Sequence, residues 1–460
     1  MNSPAPYPDR IPRALSRRSF LRAGAGAGLL AAGLPALQAC SLSSNGGNAA
    51  TALTFMNRWS DPNSQKAANA MFSGFTKATG IKITNQVQPS SGSTYQPAVR
   101  TAFSSNTPPA LATDISGPEV YNLARAGVLM DLTSIYQGIK SKARAGAVAG
   151  SEVDGKIWGL SDGATIGNCV FYNPDYLAKY HVDAAAITTT SQWLAAMSHI
   201  KKAGGTPILI GAKDQWPGGH YLNDLVQRRL GSAAATQLYN RTVLPKQGDK
   251  IKWTDDQVIA AFRDYLAFKP LFQDGFLGEA AATTDGQFLA GKAGFYEMGS
   301  WLLSTMRQTP PSFTPGVMLF PTVEGGAGHG NEVTLGNDTI IVSAKANADA
   351  VRKFFDYFTR PDSLARWSGS MFVSPPYRFD ASAVKVDSPV LGKLFGRINS
   401  FSANAGRDGA ALFNDQAIDV NIYSRYIWQG SVGLMTGELS PERLCQKLEE
   451  ATVRAQRKLG

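Results

Sequence analysis

The chain has 460 residues, 43% of them hydrophobic and 17% charged, with a formal net charge of +10 at pH 7. That length allows two domains with packed cores. The basic excess is spread along the chain, which excludes a nucleic-acid footprint; the pairs Lys201-Lys202 and Arg228-Arg229 fall in helical patterns and read as solvated faces.

In chain order, Ser16-Arg17-Arg18-Ser19-Phe20-Leu21-Arg22 precedes an uncharged Ala/Gly/Leu-rich run over residues 23–34. That run is too short to span a bilayer, which wants about 20 apolar residues. The order resembles a twin-arginine export signal. Leu37-Gln38-Ala39-Cys40 resembles a bacterial lipoprotein box, with Gln38 departing from the usual small or branched residue, so residues 1–39 read as a removable signal peptide and Cys40 as the lipidation site. Residues 40–51 are a Ser/Gly/Asn-rich tether. Cleavage removes five arginines and one aspartate, which lowers the net charge from +10 to +6. The other two cysteines, Cys169 and Cys445, match no zinc or redox spacing and read as buried thiols rather than a bridge.

From Ala52 strands alternate with helices. Leu53, Phe55 and Met56 form a strand that ends in the polar turn Arg58-Trp59-Ser60-Asp61-Pro62. Ala68, Met71, Phe72 and Phe75 then stripe an amphipathic helix closed by Gly80. A strand from Ile81, a helix over residues 95–104, a strand over 110–113 and a helix opening at Pro118 continue the alternation. The pattern predicts an α/β fold with mainly parallel sheets, and ligands outside the carboxyl ends of the strands. Further on, Trp193, Met197 and Ile200 stripe a helix before the strand 207–210, and Trp216 lies in a Pro/Gly loop at the ligand edge. Thr254-x-x-Gln257 reads as a capping box. Residues 288–301 read as a helix end, a turn at Gly291-Lys292, a strand over 295–298 and a Gly-Ser break that releases Trp301. The Gly-rich loop 325–330 lacks the G-x-G-x-x-G spacing of a nucleotide site. A strand over 337–342, the turn Ser374-Pro375-Pro376-Tyr377 and two closing helices complete the chain.

Four segments in order carry a resemblance: Gly127-Val128-Leu129-Met130-Asp131-Leu132, then residues 154–177, 189–208 and 288–301. Together they resemble family 1 of the bacterial extracellular solute-binding proteins, the sugar-binding components of ABC importers, a group that includes maltose-binding protein. The resemblance implies a two-lobe periplasmic-binding-protein type II fold (Venus-flytrap) with an interlobe cleft and hinge. One lobe would comprise residues 52–165 and 321–360, the other 166–320 and 361–460. It further implies a monomer that binds a carbohydrate between its lobes and docks on permease subunits, exported and lipid-anchored at the outer face of the membrane, with no cofactor, metal or catalytic residue.

A pyranose presents C–H groups to flat aromatic faces and hydroxyls to directional polar groups. The expected ligand-binding set is therefore Trp59, Trp216 and Trp301, with Tyr95, Tyr377 and Tyr423, and the polar residues Asp61, Asp114, Asp162, Glu297, Asp338 and Arg425. Trp301 is expected as a cleft wall opposed by Trp59 and flanked by Trp216; Trp158, Trp193, Trp253 and Trp367 read as packing residues. Two alternatives stay open. An exported glycoside hydrolase would also line a cleft with Trp and use two carboxylates, although the chain singles out no such pair and shows no H-E-x-x-H or G-x-S-x-G. The same fold could also hold a polyamine, phosphodiester or metal, and the several aromatics argue against the last two.

Overall fold

A computed structural model describes residues 52–88, 92–243, 250–402 and 409–459. The signal peptide 1–39, Cys40 and the tether 40–51 therefore lie outside the described residues, apart from their reading above. Among the described residues no helix is long and apolar enough to cross a membrane.

Twelve strands are described: β1 (Ala52–Asn57), β2 (Lys82–Val87), β3 (Leu111–Ile115), β4 (Glu152–Val153), β5 (Lys156–Ile157), β6 (Gly159–Ile166), β7 (Cys169–Tyr172), β8 (Ile208–Leu209), β9 (Phe295–Glu297), β10 (Gly316–Leu319), β11 (Val333–Val342) and β12 (Ala410–Leu412). They build two main sheets, ordered β12-β11-β3-β1-β2 with β6 also on β11, and β10-β7-β9-β8. Each sheet is covered on both faces, as the period of two along a strand requires. Phe55, Leu111, Ile340 and Val342 face one core with Phe72, Phe75 and Phe354. Their neighbours Met56, Ala112 and Ile341 face another, with Tyr95 and Val99. In the second sheet Val170, Ile208 and Phe295 point to one side and Cys169, Phe171, Leu209 and Tyr296 to the other.

Local sequence accounts for the helices around these cores. The helix Pro62–Thr79 starts at the N-cap Asp61, whose carboxylate accepts from the backbone N–H of Asn63 and Ser64, and ends at Gly80 in the left-handed region. The capping box predicted at Thr254 does not form: the helix Asp256–Leu266 begins after Asp255 with no side-chain cap. The one described capping box is Thr189 with Gln192, ahead of the helix Thr190–Lys202. The sheets are mixed rather than mainly parallel. β1 pairs parallel with β2 and β3, but β11 runs antiparallel to β3 and β6, and β7 runs antiparallel to β9 and β10.

β6 and β11 link the lobes. β11 pairs with β6 over 335–341 and with β3 over 338–342, and its first residues, Val333 to Leu335, take β12 as a parallel partner. A third connection passes at Ser374, which exchanges two backbone hydrogen bonds with Ala164. Packing moves the lobe boundaries from the sequence expectation. Leu364, Trp367 and Met371 pack in the first core, so the helix Pro361–Met371 stays with the first lobe. Phe320 and Val323 pack in the second lobe's core, and Arg228 donates to the carbonyls of Phe320, His329 and Glu332, so residues 321–332 stay with the second. Arg228 is itself fully buried and not on a solvated face. Cys169 and Cys445 are both buried and free.

Candidate functional site

At the edge of the first sheet nearest the second lobe, carboxylates gather round one guanidinium. Arg58 follows the end of β1, and its Nη2 donates to Asp338 Oδ2 on β11 at 2.5 Å. Asp114, near the end of β3, is buried, and its Oδ1 accepts from the Ile115 N–H at 2.8 Å. Asp162 sits in a β-bulge: Asp338 lies opposite Gly163 and Thr339 opposite Ser161, which leaves Asp162 without a cross-strand partner and re-aims it. Asp415 arrives from the short helix Asn414–Ala417, and its Oδ1 is sealed from solvent with no hydrogen-bond partner. Burial is the main influence on these groups. It pushes Asp114 well above the carboxylate range, aided by Glu119 and opposed by the Ile115 N–H and Arg58. Burial, with Asp338, does the same to Asp162. Burial lifts Asp415 to about 7 against the pull of Arg58. Tyr95 lies beneath, its hydroxyl 3.0 Å from the Thr113 carbonyl oxygen and its ring 6.0 Å from the Arg58 guanidinium.

Two residues before Asp415 the chemistry changes. Phe413 stacks on His220 at 4.3 Å and 25°, and lies 5.9 Å from Trp301. Trp301 in turn meets His220 at 5.6 Å and Trp216 at 6.2 Å, both edge-on. Both indoles are half-buried, and Trp301 Nε1 donates to the Met298 sulfur at 3.2 Å. Burial holds the His220 imidazole down to about 3, so it serves this cluster as a neutral ring. Small residues make room: a Cβ on Gly167 would fall 1.8 Å from the Phe413 ring. The lobes touch beside the two clusters, where the Gln416 side-chain oxygen accepts from the Asn337 N–H at 2.8 Å and the Gln416 carbonyl packs on Gly117. The arrangement offers a flat apolar wall next to a set of directional acceptors and one guanidinium.

A family model described as bacterial extracellular solute-binding protein matches residues 59–365. The chain belongs to that family. No curated protein matches it. Among solved structures, one from work on xylan utilisation by the thermophilic bacterium Caldanaerobius polysaccharolyticus is 21% identical, covers 87% of this chain and 99% of its own, and superposes with a TM-score of 0.74. A chitin oligosaccharide binding protein gives 20%, 89%, 99% and 0.74. RafE in complex with raffinose gives 18%, 88%, 99% and 0.65. These likenesses establish the two-lobe fold.

Within this solute-binding fold the expected site residues divide. Asp114, Asp162 and Asp338 come together around Arg58, with Tyr95 below and Tyr423 alongside, and Trp216 and Trp301 come together with each other. Others do not join them. Among the described residues Trp59 makes no ring contact with Trp301: its ring stacks on Phe55 at 5.6 Å and meets Trp367 edge-on at 5.0 Å, at the margin of the first core. Asp61 is occupied as an N-cap. Tyr377 is fully buried, its hydroxyl donating to the Ser161 carbonyl at 2.9 Å, so it is a core residue. Glu297 is buried inside the second lobe near Asp224, and burial followed by that neighbour raises it well above its ordinary value. Arg425 is exposed, over the Tyr426 ring at 5.6 Å. Trp193, Trp253 and Trp367 are buried and Trp158 is half-buried, in line with packing. Phe413, Asp415 and His220 were missed. The first two follow a strand of only three residues, Ala-Ala-Leu, which has no periodic signal, whereas His220 stood four residues after Trp216 on the same helical face.

Two surface recesses, of about 800 and about 460 Å³, contain no residue of either cluster. The larger lies among Thr54, Gln86, Thr101 and Pro108, and the smaller among Thr188, Phe320, Asn331 and Arg397. Size does not outweigh chemistry here: neither recess combines an exposed aromatic face with convergent charges. Among the described residues no group of His, Cys, Asp and Glu is arranged to hold a metal ion.

Proposed function

We propose that this solute-binding protein is the receptor of an ABC importer that captures a carbohydrate between its lobes and passes it to a membrane permease. The observation that carries the reading is the juxtaposition of the Trp216–His220–Trp301–Phe413 wall with the Arg58 and carboxylate cluster, joined through residues 413–415 where the lobes meet. A sugar ring stacked on an indole would present its hydroxyls to those acceptors. The chitin oligosaccharide binding protein and RafE with its bound raffinose, which share the fold, support this ligand class. Trp301, Trp216, Asp114, Asp162 and Asp338 are the proposed contacts, with Tyr423 beside them.

The ligand favours the arrangement in which both lobes touch it, by as much as its affinities for the two arrangements differ. Residues 1–39 direct export, Cys40 carries the lipid, and the 40–51 tether lets a monomer reach its permease. The protein releases its sugar unaltered. Thermal-shift screening of the purified mature protein against mono- and oligosaccharides, with chromatography of the recovered sugars, tests the reading. A saccharide should raise the melting temperature and be recovered intact. Cleaved product would overturn the receptor reading in favour of a hydrolase, and no shift with any saccharide would overturn the carbohydrate.

A further inference from the structure

Charge is unbalanced in the proposed site. Four carboxyl groups, those of Asp114, Asp162, Asp338 and Asp415, lie within electrostatic reach of a single guanidinium. Among the described residues Arg58 forms an ion pair with Asp338 alone. The nearby Glu119 is already paired: Arg100 donates to both of its oxygens at 2.7 and 2.8 Å. Asp415 is contributed by the short helix Asn414–Ala417; its carboxyl group meets the backbone N–H groups of Asp415 and Gln416, but its enclosed Oδ1 has no hydrogen-bond partner.

Hydroxyl recognition needs acceptors, but not an excess of acidic groups gathered round one cation with two of them, Asp114 and Asp162, buried; that arrangement is unfavourable until a further cation joins it. The two clusters share one segment: Phe413 of the aromatic wall and Asp415 of the acidic set are two residues apart, their Cα atoms no more than about 7 Å from each other. We infer that the saccharide is an amino sugar, whose ammonium group lies among Asp114, Asp162 and Asp415 while its ring stacks on Trp301. The inference rests on the carbohydrate reading above and names the class within it. N-acetylation, which removes the charge and adds bulk, would abolish the fit.

Titration calorimetry on the mature protein tests this with matched ligands: glucosamine, N-acetylglucosamine and glucose; the galacto series; and chitosan dimer, its N-acetylated form and cellobiose, with spermidine alongside. The free amine of at least one series should bind about 30-fold more tightly than its neutral counterparts, a difference that an added charge-assisted contact can supply. Asp415→Asn, checked by its melting curve to be folded, should narrow that ratio to about threefold. A neutral member that binds as well as its amine overturns the amino-sugar inference and leaves the carbohydrate reading standing. Binding of nothing in the panel overturns the amino-sugar inference, and binding of spermidine without any saccharide overturns both.

Discussion

Replacing Arg228 by Met should be among the most damaging single changes in the second lobe. The side chain is fully buried on the helix Trp216–Leu230. Its Nε and Nη2 donate to the Phe320 carbonyl at 3.0 and 2.7 Å, and Nη1 donates to His329 and Glu332 carbonyls at 2.7 and 3.2 Å. The Glu332 carboxylate lies 3.8 Å away. Met fills much of the stem's volume but leaves three carbonyls without that donor; His329 still accepts from the Glu332 N–H and Glu332 from the Asn168 side chain, so the Phe320 carbonyl is the main loss, about 1–3 kcal/mol when nothing else replaces it. Removing one partner of a buried ion pair costs about 3–5 kcal/mol in all. Partial relief comes from Glu332, which still accepts from the Ser232 and His329 N–H groups. The expected loss is therefore about 4 kcal/mol, a large part of a typical total of about 5–15. Urea unfolding followed by intrinsic fluorescence, at constant m-value, measures it. Arg228→Lys keeps the charge but cannot reach three carbonyls at once, and should fall about midway. A loss below about 1 kcal/mol for Met, or a Lys variant equal to wild type, would refute the claim that the guanidinium's geometry organises residues 320–332.

Three further outcomes are expected. Trp301→Ala should weaken binding of whichever saccharide raises the melting temperature by about 1–3 kcal/mol in calorimetry, whereas Trp59→Ala should lower stability with little change in affinity; the reverse pattern would exchange their roles. Gly117→Ala places a Cβ 1.9 Å from the Gln416 carbonyl oxygen at a φ of 95° that only glycine adopts readily, so it should separate the lobes there. Small-angle scattering should then show a larger radius of gyration without ligand, with affinity reduced about tenfold, and unchanged scattering would show the contact to be dispensable. Asp285, pushed up to about 6 by burial despite the Tyr296 hydroxyl donating to it at 2.7 Å, holds its proton in the folded state after the unfolded chain has lost it. Its contribution is therefore complete below about pH 4 and is lost as pH rises to about 6, by at most about 3 kcal/mol. Asp285→Asn should remove that part of the slope in a stability–pH series, and an unaltered slope would assign it elsewhere.

Elements whose residues speak for themselves were legible in the sequence. The stripe of Ala68, Met71, Phe72 and Phe75 faces the core as its spacing required, because a helix can bury only one face. Trp301 and Trp216 come together as the sequence suggested, but Trp216 opens the helix Trp216–Leu230 rather than lying in a Pro/Gly loop, and meets His220 one turn further along it. Tyr377 and Arg425 were misread because position in a motif says nothing about which way a side chain turns. Arg228 was misread because a basic pair in a helical pattern does not show that one member meets a loop folding back more than ninety residues later. The acidic cluster depended on a bulge at Asp162 and a three-residue strand at 410–412, both set by long-range pairing that no local periodicity encodes.

That short strand has a mechanical consequence. β12 is held to the start of β11, the strand that runs from one lobe into the other, and it carries Phe413 and Asp415 directly behind it. The part proposed to discriminate between ligands is thus mounted on the strand that joins the lobes. A substitution at 413–416 that changes what is bound should therefore also disturb the Gln416 contacts with Asn337 and Gly117, which couples specificity to how the lobes meet.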